Sequence, residues 1–188
     1  MLELEGECRK IAIEIIKSKH YTHSVPSGKS HYLQFGEALV VWAIPANKNI
    51  ARFLLGCPGN VWELSRLYAP DGHDRNLLTQ AISAAVKFIR KRENPDALVS
   101  YADPNAGHHG GVYHAASWIY HGQCDKTRMY QRQGRTVARR TFHSGSVFSK
   151  KAEIEAQGWK EIYQPGKHRY VKPLTHKARK ILAKRTSP

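Results

Sequence analysis

Three consecutive stretches decide the fold: Val61–Tyr68 (VWELSRLY), Asp74–Arg92 (DRNLLTQAISAAVKFIRKR) and Ala97–Ala102 (ALVSYA). The first alternates well enough for a β-strand. Pro70, Asp71 and Gly72 then break the chain. In the second, Leu77, Leu78, Ala81, Ile82, Ala85, Phe88 and Ile89 recur at helical spacing, which predicts an amphipathic helix. The third is a short β-prone run. Beyond it lie a Gly/His loop, a short helix near Tyr113 to Ser117 and a strand at Trp118 to His121. This order of strand, turn, long helix and strand is that of an α/β protein.

On the amino-terminal side, Cys8, Ile11, Ala12, Ile15 and Ile16 mark one helical stripe between Glu7 and Lys19. His20 to Ser30, with Pro26 and Gly28, reads as a loop. Residues 37–44 form a nearly continuous apolar run, as in a buried strand ended by Pro45. On the carboxy-terminal side, a helix capped by Ser149 should end at Gly158. A hairpin turning at Pro165-Gly166 should join Trp159–Tyr163 to Arg169–Lys172. The tail from Thr175 is a basic helix or a frayed end. The expected organisation is one compact domain: a catalytic core over 1–125, a basic insertion over 126–158, and a hairpin plus basic tail over 159–188.

Charge narrows the partner. The 188 residues carry 30 Lys and Arg against 15 Asp and Glu, a formal +15 at neutral pH. Such a field attracts polyanions, which makes nucleic acid the leading partner. No apolar run is long enough to insert in a membrane. Residues 126–151 hold no acid at all. Arg128, Arg132, Arg135, Arg139 and Arg140, with Lys167 and Arg169 further on, are the candidate phosphate contacts. The three cysteines, Cys8, Cys57 and Cys124, form no Cys-x-x-Cys pair, which suits a reducing compartment. The acidic amino terminus is unlike a secretory signal, so a cytoplasmic location is expected.

The loop Ala69–Asn76 leads into a helix amino terminus, where unpaired backbone N–H groups and the dipole favour an anion. Gly72 would allow close backbone approach, and Arg75 and Asn76 add polar contacts. The loop suits a pyrophosphate, and equally an ordinary strand-to-helix turn. Neither the dinucleotide Gly-x-Gly-x-x-Gly nor the P-loop is present.

Glu63-Leu64-Ser65-Arg66-Leu67, Arg75-Asn76, Ser100-Tyr101-Ala102-Asp103-Pro104, Gly107-His108, Gly111-Val112-Tyr113 and Trp118-Ile119-Tyr120 together resemble the Mom family of phage DNA-modification proteins. The resemblance implies a GNAT acetyltransferase-like fold, a mixed, twisted central sheet flanked by helices and splayed between two parallel strands. It implies acetyl-CoA or a related acyl-CoA in that splay. It also implies conversion of adenine N6 in double-stranded DNA to a carbamoylmethyl derivative that shields the DNA from restriction. Here the phosphate loop is reduced to Asp71-Gly72-His73-Asp74, a departure from ordinary GNAT enzymes.

Asp103 follows a predicted strand, where α/β sheets gather ligands. It could accept a proton from an exocyclic amine, or serve as a turn residue before Pro104. Tyr113 matches the tyrosine that protonates a departing thiolate in many GNAT enzymes; it could also be a core aromatic. His20 and Tyr21 match a His-Tyr pair of the family, with His20 a base, a metal ligand or a helix-terminal cation. Ser65, Arg66 and Ser100 are expected on the cofactor. The eleven histidines match no standard metal spacing, though a His/Tyr/Asp set would suit iron. Adenine N6 is hydrogen-bonded in a duplex, so the target base should be flipped out. Tyr32, Trp42 or Phe142 could stack it. The alternatives are a noncatalytic DNA-binding protein and an acetyltransferase acting on RNA or a small amine.

Overall fold

The computed structural model describes residues 1–142 and 151–186, with Arg139, Arg140, Arg185 and Thr186 in backbone only. The expected phosphate contacts Arg139 and Arg140, and the expected cap Ser149, lie outside the described side chains. Ten strands and six α-helices are described. They are β1 (Leu2–Glu3), α1 (Gly6–Lys19), β2 (Ser30–Phe35), β3 (Ala38–Ala43), α2 (Ile50–Leu55), β4 (Val61–Tyr68), α3 (Leu77–Glu93) and β5 (Ala97–Ala102). Then follow α4 (Gly111–Ala115), β6 (Ile119–Gln123), β7 (Thr127–Arg132), β8 (Arg135–Ala138), α5 (Lys151–Ala156), β9 (Lys160–Gln164), β10 (His168–Pro173) and α6 (His176–Thr186).

Seven strands form a mixed sheet in the order β1-β2-β3-β4-β5-β10-β6, flanked by helices. All neighbours are antiparallel except β4 and β5, whose parallel pairing requires the α3 crossover. The six residues of β3 are all buried, because the strand is central and both its faces are covered. On one face Trp42, Trp62 and Leu98 pack against Ala81, Ile82, Ala85 and Ile89 of α3. On the other, Val61, Val99 and Val171 meet Leu54 of α2 and Leu182 of α6, while Ile16 of α1 packs on Tyr32 and Val41. Helix α3 ends at Asn94, which is left-handed (φ 43°) and donates its N–H to Arg90 O. Among the described residues no helix is long and apolar enough to cross a membrane.

Within the acid-free segment, residues 127–138 build β7 and β8, which join β9 in a second, three-stranded sheet. One face of that sheet is closed by Tyr130, Phe142 and Ile154, a small core under α5. The expected hairpin at Pro165-Gly166 is absent. β9 pairs with β7, whereas β10 inserts between β5 and β6 of the large sheet. Two open edges offer β10 two ladders of hydrogen bonds, against the single ladder that β9 could supply. Gly166 permits the crossing, since a Cβ there would collide with the backbone carbonyls of Cys124 and Asp125. The tail from Thr175 is a docked helix, with Ala178 and Leu182 in the core.

Candidate active site

Strands β4 and β5 run together only from the pair Val61–Ala97 to the pair Leu64–Ser100. The β3–β4 register then slips, with Val41 opposite Arg66 and Trp42 opposite Leu64. Ser65 is therefore the extra residue of a β-bulge, and a bulge bends its strand. β4 parts from β5 at that point, and a cleft of ≈ 280 Å³ opens beyond it. Leu64, Ser65 and Leu67 form one wall, Tyr101 and Ala102 the other. Leu78 of α3, the loop before α4, and His20 and Tyr21 after α1 complete it.

Tyr113 lies at the base of the cleft, buried. Ser100 Oγ stands 2.8 Å from both Leu64 O and Tyr113 Oη. The serine has one proton and a carbonyl can only accept, so Ser100 donates to Leu64 and the phenol donates to Ser100. Burial pushes the Tyr113 phenol up to about 12, keeping it protonated. Ser100 is fully buried and acts on the cleft through Tyr113.

His20 is buried as well. Burial first, then the positive charge of Arg66 and the neighbouring His108, His23 and Lys167, lowers its pKa to about 4. The Thr22 N–H donates to His20 Nδ1 at 3.2 Å, so the proton of the neutral ring sits on Nε2. Unfolded, this imidazole titrates at 6.5; folded, at about 4. Its contribution to stability is complete above 6.5 and is lost as pH falls through that window. H20N should therefore lose less thermal stability than the wild type between neutral pH and about pH 4; parallel losses in melting experiments would contradict this.

Tyr21 is 39% exposed and joins a run of rings, 4.5 Å from His20 and 4.8 Å from His108. Arg66 is spent within the protein. Its guanidinium donates to Ser24 O, Ser24 Oγ, Ser65 O and Ser65 Oγ, pinning the loop after α1 to β4. Gly72, Arg75 and Asn76 lie exposed at the foot of α3. Gly72 has φ +79° and open space around it.

Asp103 ends β5 and caps the short turn Pro104–Ala106, its Oδ1 accepting from the backbone and side-chain nitrogens of Asn105 at 3.0 Å. Its Oδ2 pairs with Lys167 Nζ at 3.1 Å. Burial alone would raise its pKa; the hydrogen bonds from Asn105 and Lys167 outweigh it and hold the carboxyl below its ordinary value. Asp103 and Lys167 also floor an open groove of ≈ 520 Å³ that runs to Arg128, Thr127 and Met129 of the second sheet. Asp103 thus stands where the cleft wall, at Tyr101 and Ala102, passes into a groove edged by basic strands.

Arg128, Arg132 and Arg135 are exposed on those strands. Arg169, expected on phosphate, is committed inside: it donates to His121 and Cys124 and lies 4.4 Å above the Phe53 ring. Tyr32, Trp42 and Phe142, expected as stacking residues, are 3%, 0% and 8% exposed and belong to cores. Sequence reading missed the role of Lys167 as partner of Asp103. It also missed Glu63, whose carboxyl is raised by burial on the far face of β4 and partly offset by Arg66 and Lys167. A carboxylate between Trp62 and Leu64 in a strand that the sequence places in the sheet was the available signal. Among the described residues no three His, Cys, Asp or Glu side chains converge as metal ligands.

Fold and site define a mixed α/β protein with a cleft lined by aromatic and apolar side chains where two parallel strands part, set beside a basic antiparallel sheet. The chain belongs to the Mom protein family, matching it over residues 2–188. It is 26% identical over 185 residues to the methylcarbamoylase mom of Escherichia phage Mu, a match covering 92% of this chain and 75% of the phage protein.

Proposed function

We propose that this chain is a DNA-modifying enzyme that attaches a carbamoylmethyl group to N6 of adenine. Family membership and the activity in the relative's name support the class of reaction. The observation that carries the reading is Asp103, poised between the cleft and the basic groove. A base extruded from a duplex lying on the second sheet would reach the cleft past this carboxylate.

Parallel β4 and β5, the bulge at Ser65 and the divergence beyond Leu64 and Ser100 support a reading in which an acyl-CoA occupies this opening. Its extended amide arm would pair with the edge of β4 that β5 has left. Gly72, Arg75 and Asn76 would meet its phosphates, although Asp71 and Asp74 dilute the positive field there. When bound, the thioester would supply the two-carbon unit; its carbonyl would become the carboxamide once a nitrogen donor displaces the sulfur, and joining its methyl carbon to N6 would call for a two-electron oxidant.

Asp103, ionised, would accept a hydrogen bond from the adenine amine and orient it. His20, neutral and protonated at Nε2, would donate into the cleft rather than act as a base. The Tyr113 phenol, pushed up to about 12 by burial, keeps its one proton and donates it to Ser100 Oγ, so it would shape the cleft floor rather than serve a leaving sulfur as an acid. Iron fits less well, since His20 Nδ1 is held by Thr22 and both Asp103 oxygens are engaged.

Nucleosides from the DNA of cells expressing the chain test the reading by mass spectrometry. A deoxyadenosine heavier by one carbamoylmethyl group is expected, with resistance to restriction enzymes that read the altered adenine. Unmodified DNA bound in a salt-sensitive way would replace it with a noncatalytic binding role.

Charge reversal at Arg128, Arg132 and Arg135 together should weaken binding to random duplex by orders of magnitude. The slope of log affinity against log salt should fall by about 0.9 for each phosphate that is no longer neutralised. Anisotropy titrations at several salt concentrations measure both; an unchanged slope would place the duplex elsewhere.

A further inference from the structure

We infer that His108 is the platform on which the extruded base stacks, a positioning residue for the proposed reaction and resting on that reading. The reacting adenine needs a flat partner at the cleft mouth, because unstacking costs energy that a new stack must return. Cleft-lining rings are His20, Tyr21, Tyr101, His108, His109 and Tyr113. His20 and Tyr113 are buried, and Tyr101 is half-buried in the wall.

His108 is exposed and ends the run His20–Tyr21–His108. Among the described residues, its ring nitrogens have no hydrogen-bond partner, while the His109 ring makes no aromatic contact to hold it in place. A nucleobase would extend the run by one ring, with imidazole acting as aromatic side chains do in stacking splayed bases.

The turn that carries His108 is rigid and tied to Asp103. Asp103 O accepts from both Ala106 N at 3.1 Å and His108 N at 3.0 Å. Ring and carboxylate are thus opposite ends of one closed turn. Gly107 (φ +75°) and Gly110 (φ +79°) bracket the ring. Gly110 is pressed against the Tyr170 side chain, so this end of the loop cannot shift inward. A base on His108 is held at a set distance from the groups that would act on its amine.

The test uses the full chain and a thymine oligonucleotide with a single 2-aminopurine, a fluorescent adenine analogue quenched by stacking. A single strand has no pair to open, so flipping does not enter. Wild type should quench the probe. H108A should abolish the quench and weaken binding about tenfold, the size of one base–aromatic stack. H108W should restore quenching; H108N, which keeps a hydrogen-bonding side chain without an aromatic ring, should not. Modification of cellular adenine should follow the same order. Rescue by H108N instead of H108W, or equal quenching by H108A, overturns the inference. Quenching by a wild type that leaves cellular DNA unmodified would reject the proposed reaction and leave the stacking role standing.

Discussion

Gly110→Ala is expected to destabilise the protein by about 4 kcal/mol, combining left-handed strain with overpacking. Gly110 has φ +79° and opens α4, its carbonyl accepting from Tyr113 N and His114 N. An added methyl would lie inside the ring of Tyr170. That ring cannot retreat. It is stacked on Tyr113 at 5.1 Å, packed by Tyr120 at 5.5 Å, and anchored by donating its hydroxyl to His109 O at 3.0 Å. For a chain of this size the melting temperature should fall by roughly 8–16 °C. Gly107→Ala is the internal control: φ is +75°, but nothing lies within 4 Å of the new carbon. It should cost only the backbone strain, about 1 kcal/mol. Equal losses in denaturant titrations of the two variants would show that the Tyr170 clash is not the cause.

Asp103→Asn should lower adenine modification by roughly 10²–10⁴, the range typical of a positioned acid–base group. The substitution is nearly isosteric. Its amide oxygen can still accept from Asn105, so the turn should survive. What disappears is the negative charge facing the groove, and with it the pair to Lys167. A half-exposed ion pair of this kind contributes at most about 1 kcal/mol, so the melting temperature should hardly move. Retention on duplex DNA should stay close to that of the wild type, since Arg128, Arg132 and Arg135 are untouched. Joint loss of modification and DNA retention would indicate a collapsed fold, and full modification would remove Asp103 from the reaction.

The expected strands at Val61–Tyr68 and Ala97–Ala102 coincide with β4 and β5, and the apolar stripe from Leu77 to Ile89 lies in α3. These segments were readable because each buries a regular face. β7 and β8 were not, because their residues are mostly charged or polar and only Tyr130 among them is buried. The Gln133-Gly134 turn was the overlooked signal: both residues take positive φ, 48° and 78°, as a tight hairpin requires. The fate of β9 and β10 was illegible for another reason. Local sequence can indicate a turn at Pro165-Gly166 but not which of two sheets has an open edge. At the site, Asp103 as a turn residue before Pro104 was foreseen, but its partner Lys167 and the ring pairing of Tyr21 with His108 join distant segments and leave no local pattern. Arg66 and Arg169 show the converse, since a cation drawn into internal hydrogen bonds reads in sequence like one free to meet phosphate.

Because β10 fills the place between β5 and β6, the large sheet has a gap until residues 168–173 emerge from the ribosome. A nascent chain ending at β9 would display two bare strand margins, an invitation to sticky association between molecules. Premature stop codons anywhere before His168 should therefore yield insoluble product rather than a smaller working enzyme.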